Sequence, residues 1–290
     1  MPIPMSQIVD SVIGEVYGYS QTVDTSTYSV GSLTSTGLNF ALASGKTFSR
    51  GLIQIGDELV IADSVDRETG EVTLGSVQSR GVRGTVPEAH PSGTLVTMAP
   101  TIPRSAAKRA INETIQSSGG LWATSEIEFK YNYPVVAYPI PDDAEDILAV
   151  YWFPTGPTRQ WLPVRRWTHD KYNKLIVLGD AIQPGRMMRV TYTHTPTVPD
   201  DDGTFEDTGL PASCVDVIRF GAAWRVVSML ESFNLMAQSA EADAMDRQNT
   251  PGSMIRVGQY FYQLYQQRLR EELGSLQARH PVRVKYEGRY

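Results

Sequence analysis

The chain has 290 residues, 41% of them hydrophobic and 20% charged, with 26 basic and 32 acidic side chains and a net charge of −6. This composition excludes a disordered chain, and the length allows two or three domains with a substantial core. A single cysteine, Cys214, excludes an internal disulfide, and no run approaches the roughly eighteen apolar residues of a membrane helix; the opening MPIPMSQIVDSVIGEVYG has neither the basic stretch nor the apolar core of a signal peptide.

In chain order, Ile8, Val12 and Val16 fall at helical spacing, so residues 5–17 are expected to form a short helix with Ser6 as its N-cap. Residues 20–45 are rich in Ser, Thr and Gly, which fits β-structure with loops or an arm. From 51 to 99, GLIQIGDELVIADSV alternates and is followed by DRETGEVTLGSV, a β-hairpin turning at Glu68-Thr69-Gly70. A Gly-rich loop, SRGVRGTVPEAHPSG, then leads to the closing strand TLVTMAP, and the unit reads as barrel-like. After Pro100 and Pro103, RSAAKRAINETIQSSGG is a helix with the stripe Ala107, Ile111, Thr114 and Ile115 and a stop at Gly119-Gly120. Residues 126–196 return to strands rich in Val, Ile, Tyr and Trp. VPDDDGTFEDTG is expected to be an unpacked polar linker. A long helix follows Leu210-Pro211, NTPGS breaks it, and a second long helix ends before Pro281.

Both terminal helices carry two apolar stripes. On the first, Val217, Phe220, Trp224, Val227 and Leu230 form one and Val215, Ile218, Ala222, Met229, Phe233 and Met236 the other. On the second they are Met254, Val257, Phe261 and Leu264, then Tyr265, Leu269, Leu273 and Leu276. A helix apolar on more than one face must be covered on more than one side, which points toward assembly. The fold class expected is α+β. It comprises an N-terminal helix in 1–20, a small β-barrel-like unit in 21–100, a helical core from 101–125 with 200–278, an inserted antiparallel β-domain in 126–199, and an extended C-terminal arm in 279–290.

The charge is uneven. Residues 1–103 carry −5, 200–249 carry −7 and 253–290 carry +4. A general nucleic-acid-binding protein shows a concentrated basic face, and this chain has one only at its end. In the arm, Arg279, Arg283, Lys285 and Arg289 interleave with Val282, Val284 and Tyr286 after Pro281, the period of an extended strand with one basic and one apolar side. Such a strand can add to a sheet edge, or its basic side can meet DNA phosphates.

Catalytic patterns are absent from the sequence: there is no G-x-S-x-G, G-x-x-x-x-G-K-[ST], G-x-G-x-x-G or H-E-x-x-H. No enzyme, metal site or cofactor is expected. His90, His169, His194 and His280 share no spacing and read as solvated loop residues. Asp200-Asp201-Asp202 lacks the alternation of a calcium loop, and Asp142-Asp143 with Glu145-Asp146 reads as an exposed turn. In RGVRGT, Arg80 and Arg83 are possible loop contacts, for a phosphate for instance, although a turn needing positive φ at Gly81 and Gly84 is the plainer account. Trp152, Trp161 and Trp167 suit a β-domain core or subunit contact better than a sugar platform.

Leu210-Pro211 opening a helix, the Ala222-Ala223-Trp224-Arg225 centre, Glu231 after it, and Arg268-Leu269 with Glu271-Glu272 before Pro281 make residues 210–290 resemble head-to-tail connector adaptor (head completion) proteins of tailed phages. The resemblance is to long versions from phages of actinobacteria. GDELVIADSVDRETGEVTLGSVQSRGVRGT, within 50–100, resembles N-terminal modules of such proteins more loosely. The resemblance implies that the helical core is a connector core. It implies a structural virion protein at the neck, made in the host cytoplasm, forming a homo-oligomeric ring, usually dodecameric, under the portal protein. Such a ring extends the channel for passing double-stranded DNA, offers a surface to stopper or tail-terminator proteins, and grips the portal by its C-terminal arm. The ring-interface and core helix residues would be Phe220, Trp224, Val227, Leu230, Phe233, Phe261, Leu264, Leu269 and Leu273. The acidic segment 200–249 is expected to face or near the channel, where like charge keeps DNA from sticking. The competing expectations are another structural virion protein, a tail or decoration component with a carbohydrate- or surface-binding β-domain, and an enzyme with a dispersed site.

Overall fold

The computed structural model describes residues 2–18, 24–118, 120–155, 160–180, 182–200, 203–240 and 253–279, without the side chains of 231–240, 253, 254, 277 and 279. The chain divides into two compact units, Val9–Ile111 with Gly221–Phe261, and Met1–Ile8 with Asn112–Phe220 and Tyr262–Tyr290. The fold is α+β, as expected.

In the first unit, β1 (Ser26–Val30), β2 (Asn39–Leu42), β3 (Gly51–Ile55), β4 (Glu58–Val65), β5 (Glu71–Leu74) and β6 (Leu95–Met98) close into a barrel. The order is β1-β2-β5-β4-β3-β6, and every neighbouring pair is antiparallel. Alternation places Ile53, Ile55, Val60, Ala62, Val72, Leu74 and Val96 inside with Phe40, Leu42 and Phe48. The alternating run from Gly51 to Val65 is two strands, not one. Gly56, at φ 58°, and Asp57 turn the chain so that Ile53 lies opposite Val60. The expected hairpin turn is present. Asp66 Oδ1 accepts from the amides of Glu68 and Thr69, and Gly70 donates to the Asp66 carbonyl at 2.9 Å with φ +76°.

α1 (Met5–Tyr17) buries Ile8, Val9 and Val12. Ser6 lies within it and is not its cap; the Met5 amide instead donates to the Gly203 carbonyl. α2 (Arg104–Ser117) carries the expected stripe, with Ala107, Ile111, Thr114 and Ile115 all buried. Its first turn is fastened to the β3–β4 turn, where Arg104 and Lys108 both reach the Asp57 carboxylate, at 2.8 and 2.7 Å. Burial pushes the pKa of Asp57 up, but hydrogen bonds and charge from Lys108 and Arg104 outweigh it and hold the group below the usual carboxylate range.

In the second unit, β7 (Ala123–Lys130), β9 (Asp146–Trp152), β10 (Leu162–Pro163) and β13 (Met187–His194) form a sheet in the order β10-β9-β13-β7, and β8 (Ala137–Pro139), β11 (Trp167–Asp170) and β12 (Leu175–Leu178) form another in the order β11-β12-β8. Their inner faces share one core: Tyr138, Ile176 and Leu178 from the smaller sheet meet Ile147, Val150, Met188, Val190 and Tyr192 from the larger. The segment expected to be an unpacked linker is ordered where it is described. Phe205 and Thr208 are fully buried in a 3₁₀ turn, Phe205–Thr208, which the Asp207 carboxylate caps by accepting from the Thr204 amide at 2.7 Å. Strand-like bonds tie this turn to Ile3–Met5, and Glu206 accepts from the Ile3 amide. The polar residues that suggested a loose linker are the ones that satisfy this turn's backbone. α3 (Val215–Ala240) follows a 3₁₀ turn, Ala212–Cys214, and α4 (Ser253–Arg279) completes the described chain.

A Cβ on Gly70 would lie 2.5 Å from the Leu42 carbonyl oxygen, at a φ that L-residues resist. Gly70→Ala is expected to destabilise the barrel by about 1–3 kcal/mol, read as a lower denaturation midpoint in urea.

Candidate assembly surface

The two long helices run antiparallel, side by side. Arg268 reaches Asp216 at 3.1 Å and the Ser213 hydroxyl donates to Glu272 at 2.7 Å, while the Cα of Gly258 faces Val227, whose Cγ1 lies 3.6 Å from where a Cβ would stand. Position rises on α3 as it falls on α4. Small residues lie on the facing sides, with Ala223 one turn before Val227 on α3 and Gly258 on α4, both buried.

The residues assigned from sequence to the ring interface and core separate into two groups. Val227 and Phe261 are buried within the chain and leave nothing for a neighbour to cover. Phe220, Trp224, Leu230, Leu264, Leu269 and Leu273 are half-buried, and the Phe233 side chain lies outside the described residues. On α4 the outward apolar side chains are mostly ones that the stripes did not single out: Ile255, Val257, Tyr260 and Tyr262 are 41–57% exposed. At about 100° per residue they fall on two flanks of the buried seam of Gly258, Phe261 and Tyr265. Ile255 and Tyr262, seven apart, share one flank; Val257 and Tyr260, three apart, share the other. The spacing was readable in the sequence, but the seam's position was not, because it depends on what α3 offers.

Several charges on the hairpin are paired. Arg268 joins Asp216 and Glu271, and Asp216 also takes Arg219 at 3.1 Å. The hydrogen bond to Glu271, then the charges of Asp216 and Glu271, raise the pKa of Arg268, while hydrogen bonds from Gln267 and Arg268 lower that of Glu271. In the acidic segment 200–249, Glu206, Asp207 and Asp216 are engaged in local bonds, and residues 201, 202 and 241–250 lie outside the described residues. Of the arm, Arg279 ends α4, while Pro281, Val282, Arg283, Val284, Lys285, Tyr286 and Arg289 lie outside the described residues, as does His280.

Arg80 is not a surface contact. Its side chain is fully buried against Glu58, and all five of its N–H groups are used. Nε and Nη2 donate to the two Glu58 oxygens at 2.6 and 2.7 Å, Nη1 to the carbonyls of Thr34 and Gly37, and Nη2 also to that of Glu88. Arg83 is exposed, at φ 57° between Gly81 at φ 61° and Gly84 at φ 84°, so the turn reading holds at both glycines. Glu58 also accepts from the amides of Gly81 and Glu88 and from His90 Nε2 at 2.8 Å; a carboxylate only accepts, so Nε2 carries the proton. Burial alone would raise the Glu58 pKa, yet the bonds from Arg80, His90 and the Glu88 amide bring it down to about 2.

The other polar candidates are structural too. His90 and His194 are buried rather than solvated; His194 bonds the Ser125 hydroxyl and the Thr195 carbonyl, both at 2.9 Å. Burial, then the nearby Lys171, lowers the pKa of His169, whose Nε2 is buried without a partner. Trp152 and Trp167 pack on the two-sheet core; Trp161 meets Phe153 edge-on at 5.2 Å and lies under Arg189 at 4.3 Å. Asp142, Asp143, Glu145 and Asp146 are exposed, as read. In an open cleft of about 350 Å³ beside α1, the polar lining pairs with itself: Tyr17 donates to Asp24 at 2.5 Å, and the Arg104 amide to Gln54 at 3.1 Å. Among the described residues, no group of three His, Cys, Asp or Glu is placed to hold a metal, and no helix is long and apolar enough to cross a membrane.

No family profile matches this chain, and no curated protein matches it. Among solved structures the chain is similar to one described as the neck of an empty GTA particle computed with C6 symmetry, at 13% identity and a TM-score of 0.22, over 54% of this chain and 76% of that one. So loose a superposition carries no argument about fold or function.

The Glu58 network has a signed pH dependence. The folded-state pKa of about 2 lies below the ordinary 4.5, so its stabilisation, roughly 3 kcal/mol, is present above pH 4.5 and lost as pH falls toward 2. Glu58→Gln is expected to flatten this dependence and to cost about 3–5 kcal/mol near neutral pH, because it strands a buried guanidinium. Denaturant titrations at pH 7, 4.5 and 3 would show both effects.

Proposed function

We propose that the protein is a structural virion component of a particle's neck, a head-to-tail adaptor that forms a ring under the portal and extends the DNA channel. What supports this reading is the resemblance carried by residues 210–290, together with one structural observation. Beside the seam where α4 meets α3, α4 presents apolar side chains on two opposite flanks, Ile255 with Tyr262 and Val257 with Tyr260. A ring is built from heterologous contacts, in which one face of each copy meets a different face of the next. Two separate apolar flanks on one helix suit that requirement better than a single patch, which favours a two-fold dimer.

Under this reading the barrel and the two-sheet domain offer docking surface to stopper or tail proteins. DNA passes without sequence-specific contact.

Ile255→Asp with Tyr262→Asp, and separately Val257→Asp with Tyr260→Asp, remove one flank each. Both double variants are expected to keep their melting temperature to within a few degrees, since surface changes of this kind shift stability by about 0.5 kcal/mol or less per site. Both are expected to abolish ring assembly, scored by electron microscopy of particles carrying the variant chain. Rings that form normally with either flank removed would overturn the reading, as would density placing this chain away from the vertex between portal and tail.

A further inference from the structure

The two-sheet domain ends in an open edge. β7 is the last strand of its sheet, and among the described residues nothing pairs with its outer side. Its eight residues exceed the other sheet-end strands: β10 has two, β8 three and β11 four. Very short edge strands are one way proteins keep edges from pairing, and β7 does not use it.

The hydrogen-bond parity of the sheet shows which groups are open. β13 gives its Met187 and Thr193 carbonyls to Phe153 and Glu145 on the β9 side. Met188, Val190, Tyr192 and His194 therefore bond toward β7, to Phe129, Ile127, Ser125 and Ala123. The backbone N–H and C=O groups of Thr124, Glu126, Glu128 and Lys130 point out of the sheet. These four side chains are exposed, while Ile127 and Phe129, on the other face, pack against the core. The edge thus has an acidic face at Glu126 and Glu128, which share one cation, Arg189, at 3.2 and 2.7 Å. Its opposite face is apolar.

The arm has the complementary pattern. In PVRVKY, residues 281–286, Arg283 and Lys285 alternate with Val282, Val284 and Tyr286. Eleven residues follow Arg279, the end of α4, more than enough to span the four open positions of β7. Set beside β7, the arm puts its two cations on the face of Glu126 and Glu128 and its apolar residues on the face of Ile127 and Phe129. No other register parity satisfies both faces, because a one-residue slip exchanges them.

We propose that the β7 edge is a receptor for residues 281–286 of a second copy of this chain, which adds there as a further strand of the sheet. The arm then links copies through backbone hydrogen bonds, with register set by charge on one face and apolar contact on the other. This link does not depend on the neck reading, and it gives the arm a destination within the protein's own assembly.

The test uses the full chain and a labelled synthetic peptide of residues 280–290, with binding followed by anisotropy and contact mapped by amide hydrogen exchange. Saturable binding is expected, with exchange slowed at the Glu126 and Glu128 amides and affinity falling as salt rises. Glu126→Pro removes an outward N–H without touching the β13 ladder, since proline is tolerated where the N–H faces away from the sheet. It is expected to weaken binding about tenfold or more. Exchanging Arg283 and Lys285 of the peptide for Glu is expected to do the same on the unaltered chain, a control that holds even if the proline variant fails to fold. No binding to a chain whose β7 amides exchange freely, binding indifferent to both changes, or protection outside β7 would overturn the proposal. So would a monomeric chain whose β7 amides are already protected and which takes up no peptide, since the arm would then lie on its own sheet. None of these readings involves the α4 flanks, so failure here is distinct from failure of the ring.

Discussion

The barrel depends on one buried ion pair. β5 and β6 sit on opposite sides of the closed barrel, so the connection between them, residues 75–94, crosses the barrel end. A crossing segment gets little help from ladders, and its backbone groups need partners when covered. Glu58, at the start of β4, and Arg80, within the crossing, supply them. The guanidinium ties Thr34, Gly37 and Glu88 together by their carbonyls, and the carboxylate holds the Gly81 and Glu88 amides. Next along, His90 exchanges two backbone bonds with Leu33, both at 2.8 Å, while its ring returns to Glu58. Only after this does the chain enter β6, which closes the barrel by pairing with both β1 and β3. Desolvating two charges is costly, and the cost is recovered here because nearly every lone pair and N–H of the pair is bonded. A hydrophobic replacement could fill the same volume but could not bond three loop carbonyls.

That pair marks the limit of what sequence patterning conveys. Strand alternation in 51–65, the turn at Gly70, the Ala107-Ile111-Ile115 stripe and the strands of the 126–196 region are local signals, and the structure follows them because each is enforced by burial at a fixed period. Arg80 lies in a Gly-rich stretch whose composition is the same whether the loop is solvated or folded over a barrel end. Its partner Glu58 is 22 positions away, and no local period links them. The same holds for Phe205 and Thr208, buried inside a run of acidic residues where the Phe205 amide donates to the Ile3 carbonyl and the Thr208 carbonyl accepts from Thr197. The composition there predicts solvent-facing polar residues, whereas Asp207 and Glu206 face backbone amides. Within the assembly surface, the helices and their apolar excess were legible; which apolar residues stay outside was not, since that is decided by where the small residues of α3 let α4 settle.

Those small residues explain the surplus. Ala223 and Gly258 occupy seam positions that larger side chains could have filled, and close approach leaves room for few others. Phe261 and Tyr265 complete the seam on α4, with Val227 on α3. On α4 the remaining apolar residues face outward, as Ile255, Val257, Tyr260 and Tyr262 do, whereas α3 also buries Ile218 and Ala222 away from the seam. Scattered exposed apolar residues are ordinary on any protein. Two pairs in helical register on either side of one seam are a pattern, and it has a geometric consequence: a copy approaching one flank leaves the other flank open to a third copy.

The two incomplete surfaces of this molecule differ in kind, and so would the assembly they drive. The α4 flanks lack cover for apolar area, a deficit any shape-compatible greasy face can meet, with strength that grows in kosmotropic salt. The β7 edge lacks partners for directed backbone groups, which a strand meets only in one register and, given Glu126 and Glu128, preferably with cations on one side. The first kind of contact is strong and permissive; the second is weaker per residue and selective. An assembly using both would draw its cohesion from the helices and its register from the edge. Charge on the edge serves that division as well, because Glu126 and Glu128 disfavour registers of a second β7 edge that set them against each other while leaving a basic strand acceptable.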